Sequence, residues 1–275
     1  MIRLIAALLA LAATPAVAEP SELRALMTAN DSKGWEAVGR LNIAGEAFCT
    51  GALISETIVL TAAHCVYDSD TGEQYPANSI DFLAGWRNGR AVAYRGVRRL
   101  VVHEDYDFNG EDNTRRVASD IALLELDQPI RKSNVSPFPV GEWPRKGDEV
   151  GVVSYARDRE DMPSLQETCK VLGRQGGSLV MNCDVDHGAS GAPIFMIQWN
   201  RPVVVSVVSA KAHAGDLPVS LGTSLGDEID ALKIALANSD GIFTHVAAPV
   251  PASTPKVVRR DSGAASTAKF LRPAD

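Results

Sequence analysis

From about residue 37 to residue 225 the chain is a succession of short β-rich runs, each closed by Gly, Pro, Asn or Asp. "FCTGALIS", "TIVLTAA", "AVAYRGVRRLVVH", "IALLEL", "DEVGVVSYA", "SLVMNC", "APIFMIQ" and "PVVVSVVSA" follow one another with turn residues between them. Many short strands so punctuated fold as a sandwich or as barrels. The 275 residues suffice for one two-barrel unit, and a hydrophobic content of 45% supplies a core. A helix is expected over 225–237, where Ser224 can cap it and Ile229, Leu232, Ile234 and Leu236 give an apolar face.

The two ends of the chain differ from this middle. Residues 1–18 read as a secretory signal peptide, with Arg3, the apolar run "LIAALLALAA" and the small-residue site "AVA" at 16–18. That run is shorter than a bilayer requires, so no membrane association is expected once the signal is removed. The mature chain then begins near Glu19, and residues 19–36 form a polar N-terminal segment that could serve as a propeptide. Residues 239–275 are rich in Ala, Pro, Ser, Thr and Arg and are expected to be a disordered tail. The net charge of −7 gives no sign of nucleic-acid binding.

Export to the periplasm or the medium makes the four cysteines candidates for two disulfides. Three connectivities are possible, and proximity in sequence favours Cys49–Cys65 and Cys169–Cys183. No Cys-x-x-Cys pair is present, and no metal site is expected. The acidic stretch "YDSDTGEQYPANSID" lacks a recognisable calcium-ligand spacing and reads as a solvated loop.

Three polar residues stand out against this frame. His64 ends a strand-like run in "TAAHC", Asp120 opens the apolar run of "SDIALLEL", and Ser190 lies between glycines in "CDVDHGASGAPIF". A serine hydroxyl is a poor nucleophile until a base takes its proton. Histidine titrates near neutral pH and suits that task. A carboxylate on the far ring nitrogen fixes the tautomer. The backbone N–H groups of Gly188 and Ser190 can hold a developing oxyanion, which accounts for the small residues around the serine. Asp105, Asp107, Glu111 and Asp112 compete with Asp120 for the acidic role, but none directly precedes an apolar strand.

Together "CTGALISETIVLTAAHC", "HEDYD", "DIALLEL" and "GASGAPIF" resemble the chymotrypsin-fold serine peptidases, with bacterial trypsin-like and glutamyl-endopeptidase-like members as the nearest match in pattern. The resemblance covers about 37–225 and extends through the helix, so the peptidase domain is placed at 37–238. It implies an all-β fold of two six-stranded antiparallel barrels, about 37–135 and 136–225, with a C-terminal helix. It also implies a catalytic triad of His64, Asp120 and Ser190 in the cleft, an oxyanion hole at Gly188 and Ser190, and a Cys49–Cys65 bridge beside the histidine. No cofactor is required. Animal members carry an aspartate just before the nucleophile that pairs with a newly cut N-terminus. Here that position is Ala189, so activation by N-terminal insertion is not expected.

The family's specificity pocket has its base about six residues before the nucleophile, which points to Asp184 and to cleavage after Lys or Arg. Ser209 resembles the serine of the opposite wall. Lys211 would then be a wall residue that either neutralises Asp184 or attracts an acidic side chain. His187 is a candidate for the pocket rim, and His103, His213 and His245 read as structural or surface residues. Glutamyl endopeptidases place a histidine where this chain has Val208. The expected function is that of an exported serine endopeptidase acting as a monomer on protein or peptide substrates. The alternative is a catalytically silent homologue that binds a partner through the cleft. An α/β-hydrolase is disfavoured because its histidine comes last in the chain.

Overall fold

A computed structural model of the protein describes residues 20–110, 114–223 and 225–238. The expected signal peptide, the tail from 239, His245 and the capping Ser224 lie outside the described residues. Six antiparallel strands close the first barrel: β2 (Val38–Ile43), β3 (Ala47–Leu53), β4 (Ile58–Thr61), β5 (Ile80–Ala84), β6 (Ala93–Val102) and β7 (Ala122–Leu126). Around the barrel the order is β2-β3-β4-β7-β6-β5. Their inward positions are filled by Leu41, Leu53, Leu60, Phe82, Leu100 and Leu124, all buried. Alternation along the pleat puts those side chains on one face, which fixes the register of each pair.

The second half is built from β8 (Glu149–Ser154), β9 (Ser164–Gln175), β10 (Ser178–Met181), β11 (Pro193–Gln198), β12 (Arg201–Ala214) and β13 (Leu217–Thr223). They form a sheet in the order β9-β10-β13-β12-β11-β8, and β8 also pairs with β9, so the sheet returns on itself. A short strand from the N-terminal segment, β1 (Arg24–Ala25), adds to β9. Leu26, directly after it, is fully buried in the core. The expected two-barrel, all-β architecture is therefore present, with one extra strand taken from the segment read as a possible propeptide.

Two short elements finish the fold. The five-residue helix α1 (Thr114–Ala118) leads into Asp120. The C-terminal helix α2 (Gly226–Asn238) buries Ile229, Leu232 and Leu236. Ile234, expected on its apolar face, is exposed instead. At 3.6 residues per turn it lies away from the 229–232–236 stripe. His103, at the end of β6, reaches α2 through Nε2, 2.7 Å from Glu228 Oε2. Among the described residues no helix is long and apolar enough to cross a membrane.

Candidate active site

His64 sits in a single 3₁₀ turn, Ala63–Val66, that follows β4. Its neighbour Cys65 is bonded to Cys49 on β3, and Cys169 on β9 is bonded to Cys183, the pairing that proximity favours. The turn therefore cannot drift from the barrel. His64 Nδ1 lies 2.7 Å from Asp120 Oδ2, and its backbone N–H donates to Oδ1 at 2.8 Å. Both carboxylate oxygens thus hold one residue. The Ser209 hydroxyl, on β12, donates a further hydrogen bond to Oδ2. Thr223 Oγ1, at the end of β13, reaches the carbonyls of Val117 and Asp120 at 2.8 and 3.0 Å. Asp120 belongs to the first half by sequence, yet two strands of the second half position it.

Asp120 is buried, with 3% of its surface exposed. Burial works against its charged form, but the His64 charge, the ring and backbone N–H groups of His64 and the Ser209 hydroxyl outweigh it. They hold the carboxyl below the usual carboxylate range. For His64, burial disfavours the imidazolium, and the Asp120 carboxylate more than offsets this, so its pKa is raised. A base so tuned keeps its proton more readily than free imidazole once it has taken it.

The serine turn is fixed by a residue that the sequence does not single out. Thr50, fully buried on β3, donates its N–H to Ser190 O at 2.9 Å and its hydroxyl to Gly188 O at 2.9 Å. The same hydroxyl accepts the Tyr155 N–H at 3.0 Å. With those two carbonyls tied back, the N–H groups of Gly188 and Ser190 make no hydrogen bond with any described residue. That is the state an oxyanion pocket needs. Gly188 has φ +92° and Gly191 φ +74°, where side chains are strained. A Cβ on Gly191 would stand 2.0 Å from Thr61 Oγ1 and 2.4 Å from Thr50 O. Only glycine lets the serine turn press against the end of β4, one short step before His64.

Ser190 and Ser209 line one surface cavity together with Val185, Asp186, His187, Val208, Lys211 and His213. Ser209 joins this cavity to Asp120, and so to His64. No hydrogen bond links Ser190 Oγ with His64 Nε2 in this structure, and Nε2 lies 3.9 Å from the bridged Cys65 sulfur. Contacts of this kind commonly close only with substrate in place.

Asp184 is not among the lining residues. It is exposed, and its N–H is held by Gln166 Oε1 at 2.8 Å. Counting back six residues assumes a loop of family length. Here the Cys169–Cys183 bridge anchors the residue just before Asp184 to β9, and the wall falls to Val185 and Asp186 instead. His213, expected to be a plain surface residue, is exposed but lines the same cavity. His187 and Lys211 line it too.

Cys49, His64 and Cys65 come within 4.8 Å of one another, but both sulfurs are committed to the disulfide, so they offer a metal nothing. In the acidic loop, the Asp68 carboxylate accepts the N–H groups of Asp70 and Thr71 and so caps its own turn.

The profile of the family described as Trypsin matches residues 28–216. Serine protease 23 of Mus musculus is 31% identical over 177 residues, 56% of this chain and 44% of that protein. Its Homo sapiens counterpart is 29% identical over 175 residues, with the same two shares. Transmembrane protease serine 7 of Homo sapiens is 31% identical over 133 residues, 46% of this chain and 15% of that protein. The chain thus spans less than half the length of these relatives. They are animal serine proteases, not the bacterial glutamyl endopeptidases that the motifs suggest. The motifs around His64 and Ser190 serve chemistry common to all branches, so they do not separate one branch from another. With a two-barrel fold and a family match over most of its length, the chain belongs to the trypsin family of serine proteases.

Proposed function

We propose that the chain is an exported serine endopeptidase that cuts peptide bonds through an acyl-enzyme. The observation that carries this reading is the single cavity onto which Ser190 and Ser209 open, with Ser209 bonded to the Asp120 carboxylate that holds His64. Ser190 Oγ attacks the peptide carbonyl as His64 Nε2 takes its proton. Asp120 keeps the Nδ1 proton in place and stabilises the imidazolium. The Gly188 and Ser190 amides receive the oxyanion. His64 then protonates the leaving amine, and water, activated by the same imidazole, releases the acid. These roles are those of the family's own template. Two disulfides among the described residues support an oxidising compartment, the periplasm or the medium.

Cleavage after basic residues is the expectation carried by Asp184, which is not among the residues that line this cavity. The acidic group that does line the cavity is Asp186. The hydrogen bond from the His187 N–H, with Lys211, His187 and Arg157 close by, holds its carboxyl below the usual carboxylate range. Lys211, with His187 and His213 at the rim, supports an acidic side chain before the scissile bond. A fluorogenic peptide panel varied at that position should then run faster with Glu or Asp than with Lys or Arg, and Lys211→Glu should reverse the order. An unchanged or basic preference would reject this reading of the cavity.

The unmade His64–Ser190 contact favours one competing reading, a silent homologue that binds through its cleft. A fluorophosphonate probe decides between them. Labelling that is abolished by Ser190→Ala, together with peptide hydrolysis lost in the same variant, supports the peptidase. Absence of both from the wild-type protein supports the binder.

A further inference from the structure

Residues 20–26 lie on the second sheet as part of it. Beyond the β1–β9 pairs, Ser21 N–H donates to Thr168 O at 2.8 Å, Ser21 Oγ accepts the Thr168 N–H at 2.9 Å, and Leu26 N–H donates to Pro163 O at 2.8 Å. Beneath this segment lies Gln166, which is 3% exposed and faces two ways. Its Nε2 donates to Ser21 O at 2.9 Å, and its Oε1 accepts the Asp184 N–H at 2.8 Å. Asp184 is followed by Val185, which lines the cavity beside Ser190.

We propose that residues 20–26 are a retained strap of the working enzyme, and that Gln166 is a positioning residue that couples the strap to the cavity wall next to Ser190. The inference rests on the peptidase reading above for its kinetic consequences only. The physical argument is one of satisfied polar groups. A buried amide has two donors and an acceptor that need partners. Take away Ser21 O and the Gln166 amide must turn or admit water, because a buried donor left without a partner is costly. Either change releases the Asp184 N–H and loosens its neighbour Val185 in the cavity wall, while Thr50 still holds the Gly188 and Ser190 carbonyls. Ala189 offers no carboxylate to a cut N-terminus, so the wall has no second tether of that sort. The segment from 20 is then no removable propeptide, since its removal would loosen the pocket.

The test compares four forms of the chain: unaltered, Gln166→Met, Ser21→Pro, and one that starts at Met27. Gln166→Met keeps the volume and removes both hydrogen bonds. Ser21→Pro keeps the carbonyl that Gln166 Nε2 bonds but removes the N–H and hydroxyl contacts to Thr168 that hold that carbonyl in place, with no chain lost. Each altered form should lose about tenfold in kcat/KM, mainly through a higher KM, with far-UV circular dichroism unchanged. A purely structural role would instead lower the active fraction and leave KM alone. Combining Gln166→Met with Ser21→Pro should add little, because both cut one path. Hydrogen exchange at the Asp184 amide reads the coupling without catalysis, and it should quicken at least tenfold in every altered form. If Asp184 stays protected and KM is unchanged, or if the two losses multiply, the strap proposal fails. An unaltered chain that hydrolyses nothing but loses Asp184 protection in the Ser21→Pro form would instead refute the peptidase reading and leave the strap standing.

Discussion

Thr50 shows what one buried side chain does for the site. Its hydroxyl satisfies the Gly188 carbonyl and the Tyr155 N–H at once. Thr50→Val is close in shape and leaves both backbone groups unpaired, at roughly 1–3 kcal/mol for each. The expected result is lower stability in urea and a fall of about 10- to 100-fold in kcat/KM, with Thr50→Ser restoring most of both. The charge pair makes a second prediction. In the proposed mechanism His64 must be neutral to accept the Ser190 proton, and Asp120 raises its pKa. Activity should therefore fall, with decreasing pH, through a midpoint above the ordinary histidine value of about 6.5. The same raised pKa means that the bond to protonated His64 stabilises the fold at low pH and is lost as pH rises through that midpoint. In Asp120→Asn the carboxylate is gone and burial acts unopposed. The midpoint in a pH series of kcat/KM should move down, and kcat should fall about 10⁴-fold, the loss the family's template gives for this change. His64 and Asp120, which the structure brings to 2.7 Å, and Ser190, the proposed nucleophile, stand out in the sequence because the proposed chemistry demands those residue types near strand ends. Thr50 and Gln166 could not, since their partners lie 105, 138, 145 and 18 positions away and an ordinary polar residue carries no mark of them.

At the scale of elements, two disulfides do different work with similar loops. Cys49–Cys65 spans 16 positions and Cys169–Cys183 spans 14. Loop-closure entropy makes each worth about 3 kcal/mol. What they hold differs. The first has Thr50 beside one end and His64 beside the other, so Cys49→Ser with Cys65→Ser should lower both Tm and kcat. The second ends beside Asp184, next to the cavity wall, so Cys169→Ser with Cys183→Ser should lower Tm similarly but act mainly on KM. Equal kinetic effects from the two pairs would contradict this division. The elements themselves were unevenly legible. β3, β4, β7 and β11 coincide with apolar runs. β9 does not: it reads "SLQETCKVLGRQ", and it buries Ser164 and Gln166 as well as Leu165 and Val171. A strand whose inner face carries polar side chains shows no hydrophobic alternation. β1 is shorter still, and its position follows from the hydrogen bonds of Ser21 and Leu26, not from any periodicity in "SELRALM".

For the molecule as a whole, the site is a property of the seam between two halves. His64 and Asp120 come with the first barrel, Ser190 with the second, and three aromatic rings bind the halves together. Phe195 of β11 meets Phe138 at 4.7 Å between ring centroids and Trp35 at 5.0 Å. Phe138 lies in the connection between the barrels, and Trp35 lies where the chain enters the first. Phe195 is buried in the same core cluster as Leu41 and Leu124 of the first barrel and Val204 of the second half. The second half also has a core cluster of its own around Val152, Val171, Met181 and Ile194, but Phe195 and Val204 tie that half into the core of the first barrel, and this shared seam predicts one unfolding transition. Phe195→Ala should cost about 3–5 kcal/mol. It should also shift tryptophan fluorescence, far-UV circular dichroism and fluorophosphonate labelling of Ser190 together along the urea axis. If the first barrel melts separately while labelling survives, the seam is weaker than this packing implies. If labelling is lost before any backbone signal changes, the serine turn opens on its own, and the ties from Thr50 and Gly191 are what failed.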